Sequence, residues 1–364
     1  MIYRAKSPLR ISFAGGGTDV SAYSDVYGGC VLNATIDKFA YTTLEVTEGD
    51  KIEMHSLDYD YIAHFQTDES LEFDGNMDLV KAVVRRLNQE RAAIKVFTHN
   101  DAPPGSGLGS SSAMVVSLVG AFKEWRSLSM SDYDVAQMAY EVERNDLKIM
   151  GGKQDQYACA FGGLNFIEFG KDFVLVNPLR VKPHVINELQ YNMLLFYTGK
   201  NRLSGHIIES QVENVKTGRS HSLDAMHDLK LQALEMKKAL LTGNVRGFGA
   251  LLDHAWQAKK KMADEISNPV IDEMYEEACR AGALGGKISG AGGGGFMMFY
   301  CENGKKHKVA ERLEQLGGEV VDFQFEDKGL QTWHASALDY GQVVKADWSD
   351  SVWTGTGKST ARIA

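Results

Sequence analysis

The stretch DAPPGSGLGSSSA, residues 101–113, is the most informative segment for predicting the fold. Glycine occupies alternate positions, Gly105, Gly107 and Gly109, and three serines then lead into an apolar run. Glycine tolerates positive φ angles and lets the main chain approach a ligand closely. A helix that begins at about Ser110 would direct unpaired N–H groups and the positive end of its dipole toward this loop. The pattern predicts a polyphosphate-binding loop, although a turn before a capped helix would use the same residues.

The composition is that of an ordinary globular protein of 364 residues, 44% of them hydrophobic and 24% charged. At about 100–200 residues per domain, this length predicts two domains. The formal net charge of −9 disfavours nucleic acid or an anionic membrane as the main partner. No segment approaches the ~20 apolar residues of a membrane span, and the N-terminal stretch lacks the apolar core of a signal peptide. We therefore expect a cytoplasmic protein, and the sequence leaves its oligomeric state open.

The four cysteines, Cys30, Cys159, Cys279 and Cys301, lie far apart and form no CxxC pair. No HExxH sequence is present either. This spacing indicates buried or free thiols in a reducing compartment rather than a zinc site or a disulfide framework.

A second glycine-rich turn follows the first predicted strand. Apolar and polar residues alternate over residues 9–13, which is typical of a strand with one buried face. The strand runs into AGGGTD, residues 14–19. Its end would place Arg10, Thr18 and Asp19 within reach of a ligand. A glycine turn capped by the aspartate is the structural alternative.

A third unusual segment follows a predicted helix. A capping box at residues 131–134 opens this helix, which runs to about Leu147 and carries Glu143 near its end. GGKQDQ then occupies residues 151–156, before an apolar run. The carboxylate of Asp155 is thus flanked by glycines, a lysine and glutamines, which favours a functional site. An N-terminal helix cap is the alternative explanation.

The order of predicted elements indicates an α+β protein rather than a doubly wound sheet, because many strands precede a largely helical second half. The predicted strands cover residues 9–13, 31–36, 41–46, 52–56, 59–65, 94–98, 191–197, 296–301 and 319–325. The predicted helices cover residues 77–87, about 131–147, most of 204–281 and 305–316, with one more beginning near 110. A glycine-rich loop is predicted at 285–295.

Two other glycine motifs are misleading. Residues 290–295 match the dinucleotide-binding pattern G-x-G-x-x-G, but a strand follows them where a helix is required. The sequence GKS at 357–359 ends like a Walker A loop, but Val352 stands where that pattern needs glycine. We therefore expect neither segment to bind a nucleotide through these motifs.

Three stretches together resemble the GHMP small-molecule kinases, named for galactokinase, homoserine kinase, mevalonate kinase and phosphomevalonate kinase. They are SPLRISFAGGGTD at 7–19, PPGSGLGSSSA at 103–113 and KISGAGGGGF at 287–296, and they follow the family's order. The likeness extends to about residue 335. Within the family, GGGTD together with GGKQDQ is most similar to the heptose-phosphate kinases and the fucokinase-type sugar kinases.

The resemblance implies a fold and an activity. Residues 1–185 would form an N-terminal ATP-binding domain like the second domain of ribosomal protein S5. Residues 186–340 would form a ferredoxin-like C-terminal domain, followed by a polar tail at 341–364. The implied reaction is ATP- and Mg²⁺-dependent phosphorylation of a sugar phosphate, most of all a heptose phosphate. The alternatives are fucokinase-type phosphorylation of a free sugar and a non-catalytic sugar sensor on the same fold.

The resemblance also assigns roles to residues. Asp155 corresponds to the catalytic base and Arg10 to a basic residue beside it. Glu143 corresponds to a Mg²⁺ ligand that acts with a serine of the cluster Ser110–Ser112, among which Ser111 and Ser112 are the better candidates and Ser112 is the one we name. The residues implied to bind ATP are Pro104, Gly105, Ser106, Gly107, Leu108, Gly109, Ser110, Ser111 and Ser112. Those expected to contact the sugar substrate are Gly17, Thr18, Asp19, Lys153, Gly292 and Gly293. Candidates for a phosphate already carried by the sugar are Lys153, Lys200 and Arg202.

Overall fold

The computed structural model describes residues 1–103, 105–199, 205–216 and 220–336. These residues form two β-sheets with helices packed around them, which confirms the predicted α+β class. No helix within these ranges is long and apolar enough to cross a membrane. The four cysteines are free thiols, of which all but Cys279 are buried, as predicted.

The larger sheet contains eight described strands, and the candidate site is built on the first of them. They are β1 (Ile2–Ala14), β2 (Gly29–Val46), β3 (Lys51–Ser56), β4 (Tyr61–Gln66), β5 (Ile94–Asn100), β6 (Leu164–Phe169), β7 (Val174–Pro178) and β12 (Gln331–Ala335). The order across the sheet is β12-β1-β2-β5-β3-β4, and β6 and β7 extend from the first part of β2. The strands predicted at 31–36 and 41–46 are therefore one continuous strand, β2.

The second half of β1 is buried on both faces, which explains how a charged residue comes to lie inside the protein. Leu9, Ile11 and Phe13 are fully buried, and the intervening Arg10 and Ser12 are only 3% and 2% exposed. Register shifts next to Leu9 and after Ser12 interrupt the pairing with β2 and bend the strand. The bent end of β1 lies between helices from both halves of the chain.

Five described helices of the N-terminal half pack against this sheet or against the helices that cover it. They are α1 (Ser21–Tyr27), α2 (Asp78–Leu87), α3 (Ser110–Arg126), α4 (Asp132–Glu141) and α5 (Gln154–Phe161). The central one is α3, which contacts β1, β2, α2, α4 and α5, so most of its residues are buried on every side. Its N-terminus, which follows the glycine-rich loop, is thereby held in a fixed position against β1.

The second sheet has the strand order β11-β8-β10-β9, and all its described pairs are antiparallel. Its strands are β8 (Met193–Tyr197), β9 (Ala283–Ile288), β10 (Phe296–Cys301) and β11 (Glu319–Val321). The helices of this half are α6 (Pro183–Asn192), α7 (Gly205–Lys216), α8 (Ser220–Thr242), α9 (Val245–Lys260), α10 (Pro269–Ala281) and α11 (Lys306–Gln315). A 3₁₀ turn, Asp264–Ile266, precedes α10.

Several predicted boundaries were wrong. The helix expected to reach Leu147 ends at Glu141 and continues as a π-helical turn, Val142–Asp146. The strand expected from residue 191 begins at Met193, because α6 occupies the preceding residues. The start of the glycine-rich segment at 285–295 belongs to β9, so its loop runs from 289 to 295. The broad helical region at 204–281 consists of separate helices.

The described chain returns to the first sheet after the second one is complete. The strand β12 pairs with β1 from Ile2↔Ala335 to Lys6↔Gln331, and Phe325 forms an isolated bridge with Ile36. The domain limits at 185 and 340 stay predictions, and this last strand joins the sheet of the first half. The predicted tail at 341–364, including its GKS sequence, lies outside the described residues.

Candidate active site

The centre of the site is an ion pair between a strand residue and a helix residue. Arg10 of β1 donates from Nε and Nη2 to the two carboxylate oxygens of Asp155 on α5, at 2.7 Å each. A third donor, Nη1, binds the backbone carbonyl of Gly107. Burial alone would lower the pKa of Arg10, but Asp155 raises it above its ordinary value. Arg10 therefore stays charged and fixes the carboxylate relative to the glycine-rich loop.

The predicted phosphate loop has a backbone geometry that glycine adopts most easily. Gly105, Gly107 and Gly109 have φ angles of +73°, +79° and +75°. Gly109 is the N-cap of α3 and no side chain of the described residues caps this helix end, so N–H groups of its first turn are left for a ligand. A Cβ added to Gly107 would lie 2.4 Å from the carbonyl oxygen of Ser289. The loop thus fits a polyanion, which helix N-termini bind well.

Two residues of the loop face the protein interior. Ser106 and Leu108 are fully buried. The carbonyl oxygen of Ser106 accepts the N–H of Phe296 at 3.0 Å, and that of Leu108 accepts the N–H of Arg10 at 2.9 Å. These bonds attach the loop to β10 and β1. Direct contact of either residue with ATP stays a prediction, and Pro104 lies outside the described residues.

The predicted magnesium ligands are grouped together. Glu143 lies in the π-helical turn after α4, a kind of irregularity that is frequent at functional sites. Its Oε1 accepts from the hydroxyl of Ser111 at 2.9 Å, and its Oε2 from that of Ser112 at 2.7 Å. The amide of Gln156 also donates to Oε2. One buried carboxylate and two hydroxyls therefore meet at the N-terminus of α3, although the metal-binding role itself stays a prediction.

The turn after β1 connects two of the predicted segments. Asp19 Oδ1 accepts the N–H of Gly17 at 3.0 Å, and Oδ2 accepts the N–H of Gln154 at 3.1 Å. Burial raises the pKa of Asp19. The Thr18 hydroxyl is instead occupied by the backbone, since it lies 2.8 Å from the carbonyl oxygen of Gly15 and accepts the N–H of Cys30 at 3.1 Å. The Asp19 carboxylate thus joins the turn to the start of α5, and Thr18 shapes the turn, while contact of Asp19 with a ligand stays a prediction.

These groups surround a cavity of about 190 Å³. The predicted residues that line it are Arg10, Gly17, Asp19, Gly105, Gly107, Gly109, Ser110, Ser111, Ser112, Glu143 and Asp155. Side chains from separate parts of the sequence therefore converge on one small volume, as the motifs predicted. Their individual roles toward ATP and acceptor stay predictions.

Besides Thr18, three predicted substrate residues are not part of this lining. The ammonium of Lys153 lies 3.8 Å from a carboxylate oxygen of Asp25. Gly292 and Gly293 pack against Ile266, to whose carbonyl oxygen Gly293 donates at 2.9 Å. Their contacts with substrate stay predictions. The other two basic candidates, at positions 200 and 202, lie outside the described residues.

Four polar or charged side chains of the lining were missed by the sequence analysis. Gln154 and Arg144 belong to segments that the analysis had already noted, whereas Gln211 of α7 and Lys259 of α9 come from the second half. Lys259 is 3% exposed and donates to the carbonyl oxygen of Gly290. Burial, together with the nearby Arg10 charge, lowers its pKa to about 8. Nothing in the sequence distinguishes this lysine from its neighbours at the end of the helix.

A second, larger cavity of about 800 Å³ adjoins the first. The two share Gly105, Ser110 and Ser111 at the start of α3. Aromatic and aliphatic side chains on its wall include Tyr59, Tyr61, Phe73, Met77, Leu79 and Met114. A mostly apolar cavity beside an anion-binding loop has the size and character needed for the nucleoside part of a nucleotide.

Comparison with known proteins agrees with this geometry. Residues 78–163 match the GHMP kinases N terminal domain, and residues 236–318 match GHMP kinases C terminal. The chain is 40% identical over 335 residues to the D-glycero-alpha-D-manno-heptose 7-phosphate kinase of Campylobacter jejuni, covering 91% of this chain and 98% of that protein.

Two further relatives differ from each other in the acceptor that their names state. A crystal structure titled D-glycero-D-manno-heptose 1-phosphate kinase, from Bacteriodes thetaiotaomicron, superimposes with a TM-score of 0.78 at 41% identity, over 92% of this chain and 100% of that one. The L-fucokinase/L-fucose-1-P guanylyltransferase of Bacteroides fragilis is 27% identical over 90% of this chain, but the match spans 38% of that longer protein.

The glycine-rich loop at a helix N-terminus, beside a buried arginine paired with a carboxylate, is typical of a phosphotransferase that acts on small molecules. The chain belongs to the GHMP kinase family. It is an ATP-dependent kinase. The family resemblance and the two-part α+β fold that it implied are confirmed.

The close approach of two glycine loops predicts the effect of Gly107→Ala. The new Cβ would collide with the Ser289 carbonyl oxygen and would force a side chain into a backbone with φ of +79°. We expect the variant to bind ATP at least ~10-fold more weakly, a loss of about 1.4 kcal/mol, by calorimetric titration.

Gly49→Ala is the matched control, because Gly49 has φ of +109° but no atom within 4 Å of its added Cβ. This control should keep normal ATP affinity despite similar backbone strain. A folded Gly107→Ala protein with unchanged ATP affinity would remove the loop from the nucleotide site.

Proposed function

We propose that this kinase transfers the γ-phosphoryl group of ATP to D-glycero-D-manno-heptose 7-phosphate. The observation that carries the catalytic part is the bidentate Arg10–Asp155 pair on the wall of the small cavity, since a sensor would have no need of a positioned base. The choice of acceptor is supported by the 40% identity to a heptose 7-phosphate kinase over nearly the whole of that protein.

The two adjoining cavities divide the substrates between them. In this proposal the nucleoside of ATP occupies the larger, apolar cavity, and its phosphates lie on the loop around Gly107 and the N-terminus of α3. The sugar then occupies the smaller cavity, where Asp19 and Gly17 offer polar groups. This arrangement directs the end of the triphosphate toward the Arg10–Asp155 pair.

Asp155 acts as the general base in the proposed reaction. As the acceptor oxygen forms a bond to the γ-phosphorus, the bond from that phosphorus to ADP breaks, and the hydroxyl proton passes to the Asp155 carboxylate. Arg10 holds this carboxylate ionised and oriented through two hydrogen bonds.

The Glu143 cluster fits a magnesium ion. Mg²⁺ is commonly held by one or two carboxylates together with substrate phosphates, so Glu143 and the Ser112 hydroxyl would suffice on the protein side. In the described residues no group of three or more acidic, histidine or cysteine side chains is placed to hold a metal alone. Bound Mg²⁺ would offset negative charge on the phosphates during transfer.

Recognition of the acceptor's own phosphate is assigned to Lys153. This lysine belongs to the GGKQDQ segment and its side chain is 13% exposed. Its ammonium lies 3.8 Å from Asp25, so a phosphate would compete with that carboxylate for the same charge. A charge-assisted bond of this kind contributes about 1.5–3 kcal/mol.

The first test of this proposal is acceptor choice. We expect kcat/KM for heptose 7-phosphate to exceed that for unphosphorylated heptose by roughly 10- to 100-fold, because of the charge-assisted phosphate contact. An assay that couples ADP release to a colour change, run with heptose 7-phosphate, heptose 1-phosphate, heptose and L-fucose, measures this directly. Equal or better turnover of L-fucose would replace the heptose assignment with a fucokinase-type activity.

The second test removes the proposed base. Asp155→Asn should bind ATP normally but lower kcat by roughly 10²- to 10⁴-fold, which is the usual contribution of a general base. Asp172→Asn, at an exposed position, is the control and should keep full activity. Near-normal turnover of Asp155→Asn would mean that the carboxylate positions the substrate or caps α5 and does not accept the proton.

The third test concerns magnesium. Glu143→Gln keeps the shape of the side chain but removes the negative charge, so the Mg²⁺ concentration for half-maximal activity should rise about 10-fold, as for loss of about 1.4 kcal/mol. Excess Mg²⁺ should restore most of the activity. Glu141→Gln is the control, since Glu141 pairs with Arg86 outside the cavity. An unchanged Mg²⁺ requirement in Glu143→Gln would exclude this carboxylate as a ligand.

A further inference from the structure

Lys259 is a buried cation whose charge is not matched by a carboxylate. Its side chain is 3% exposed and lines the same small cavity as Arg10 and Asp155. Within the described ranges, no carboxylate lies close enough to its ammonium to form an ion pair, and the hydrogen bond that it makes goes to the neutral carbonyl of Gly290. Buried charges are ordinarily paired, because leaving water is costly.

The three carboxylates on the cavity wall, Asp19, Glu143 and Asp155, are already occupied. Both oxygens of Asp155 accept from Arg10, and the oxygens of Asp19 accept backbone N–H groups of Gly17 and Gln154. Those oxygens that belong to Glu143 accept from Ser111, Ser112 and Gln156. Burial and the Arg10 charge lower the pKa of Lys259, whereas Asp19 and Asp155 raise it. Arg10 is thus paired, whereas Lys259 has no ion-pair partner within the described residues, and an anion that enters the cavity would supply one.

The position of Lys259 indicates which anion this is. Its partner Gly290 packs directly on the phosphate loop, since a Cβ on Gly290 would lie 2.7 Å from the Cα of Gly107. Arg10 donates to the backbone carbonyl of Gly107. The two cations thus reach the phosphate loop from opposite halves of the chain. The loop at 103–113 contains no lysine or arginine of its own.

We propose that Lys259 binds the γ-phosphate of ATP and acts as the second cation of the phosphoryl-transfer centre. The lysine that other phosphate loops carry within their own sequence is here supplied by a helix of the other half of the fold. In the transfer step, negative charge on the three equatorial oxygens of the phosphoryl group is offset by Lys259 and by Arg10. This inference rests on ATP as the phosphoryl donor and not on the acceptor proposed above.

The decisive experiment compares a triphosphate with a diphosphate. The dissociation constants of a non-hydrolysable ATP analogue with an imido-bridged γ-phosphate, and of ADP, are measured for the wild type, Lys259→Met, Lys259→Arg and the control Lys261→Met. Lys261 is an exposed lysine two positions further along the chain. Lys259→Met should weaken binding of the triphosphate analogue roughly 10- to 100-fold and leave ADP within about 2-fold of the wild type. Lys259→Arg should recover part of the loss.

Equal weakening of both nucleotides, or of neither, would overturn the proposal, because Lys259 would then only hold the glycine loop through Gly290. Methionine should be tolerated at this buried position, since it removes a charge and keeps the volume. Circular dichroism and thermal melting check the fold, and Lys259→Gln replaces the methionine variant if that one does not fold.

Measurements of kcat distinguish two roles of Lys259, binding of the γ-phosphate of ATP and binding of the phosphate carried by the acceptor. With Lys259→Met, kcat should fall by the same factor for heptose 7-phosphate and for unphosphorylated heptose. A loss confined to the phosphorylated sugar would assign Lys259 to the acceptor and overturn the proposal. If the wild type does not phosphorylate heptose 7-phosphate at all, the acceptor assignment fails, while the triphosphate–diphosphate comparison still decides the role of Lys259.

Discussion

The arginine–carboxylate pair between Arg10 and Asp155 is the interaction on which the remainder of the site depends. It joins β1 to α5, 145 positions apart in the sequence, and the third donor of the guanidinium fixes the phosphate loop at Gly107. The arginine is almost completely buried, so loss of the carboxylate would leave an unpaired charge in the interior. The strand, the helix and the loop therefore hold one relative position, which arranges the proposed catalytic groups without a bound substrate.

Neighbouring glycines, which have no side chain, leave the space that this ion pair occupies. A Cβ on Gly109 would lie 3.3 Å from Arg10 Cγ and 3.5 Å from Asp155 Cγ. A Cβ on Gly152 would lie 1.9 Å from an oxygen of Asp19. Three charged side chains can share one small volume because the neighbouring backbone contributes no bulk. The glycines of the sequence motifs thus mark the points where backbone and charged groups come into contact, in addition to the points where a ligand is bound.

Much of the site could be predicted because its groups lie within or next to glycine-rich segments that are unusual in sequence. Arg10, Asp155 and the Glu143–serine cluster belong to this class, and the α+β order of elements followed from periodicity. Lys259 could not be predicted. Amphipathic helices contain many lysines, and only long-range packing decides which one faces the cavity. The boundary of α4 was missed for a related reason, since a π-helical turn has no propensity signal in the sequence; Glu143 within this turn bonds to Ser112 of α3.

Pairing of β12 with β1 has a consequence for the order in which the protein acquires its structure. The strand that carries Arg10 has β2 on one side from an early point in the sequence, but its other neighbour follows more than 300 positions later. During synthesis the outer edge of β1 would stay open until nearly the entire described chain has emerged, and an open edge is a template for wrong pairing with other chains. A contact of such high sequence separation also forms slowly, because a long loop must close first. The first half of the strand that carries Arg10, residues 2–6, is therefore among the last parts of the sheet to be enclosed, and the newly synthesised chain is most open to aggregation there.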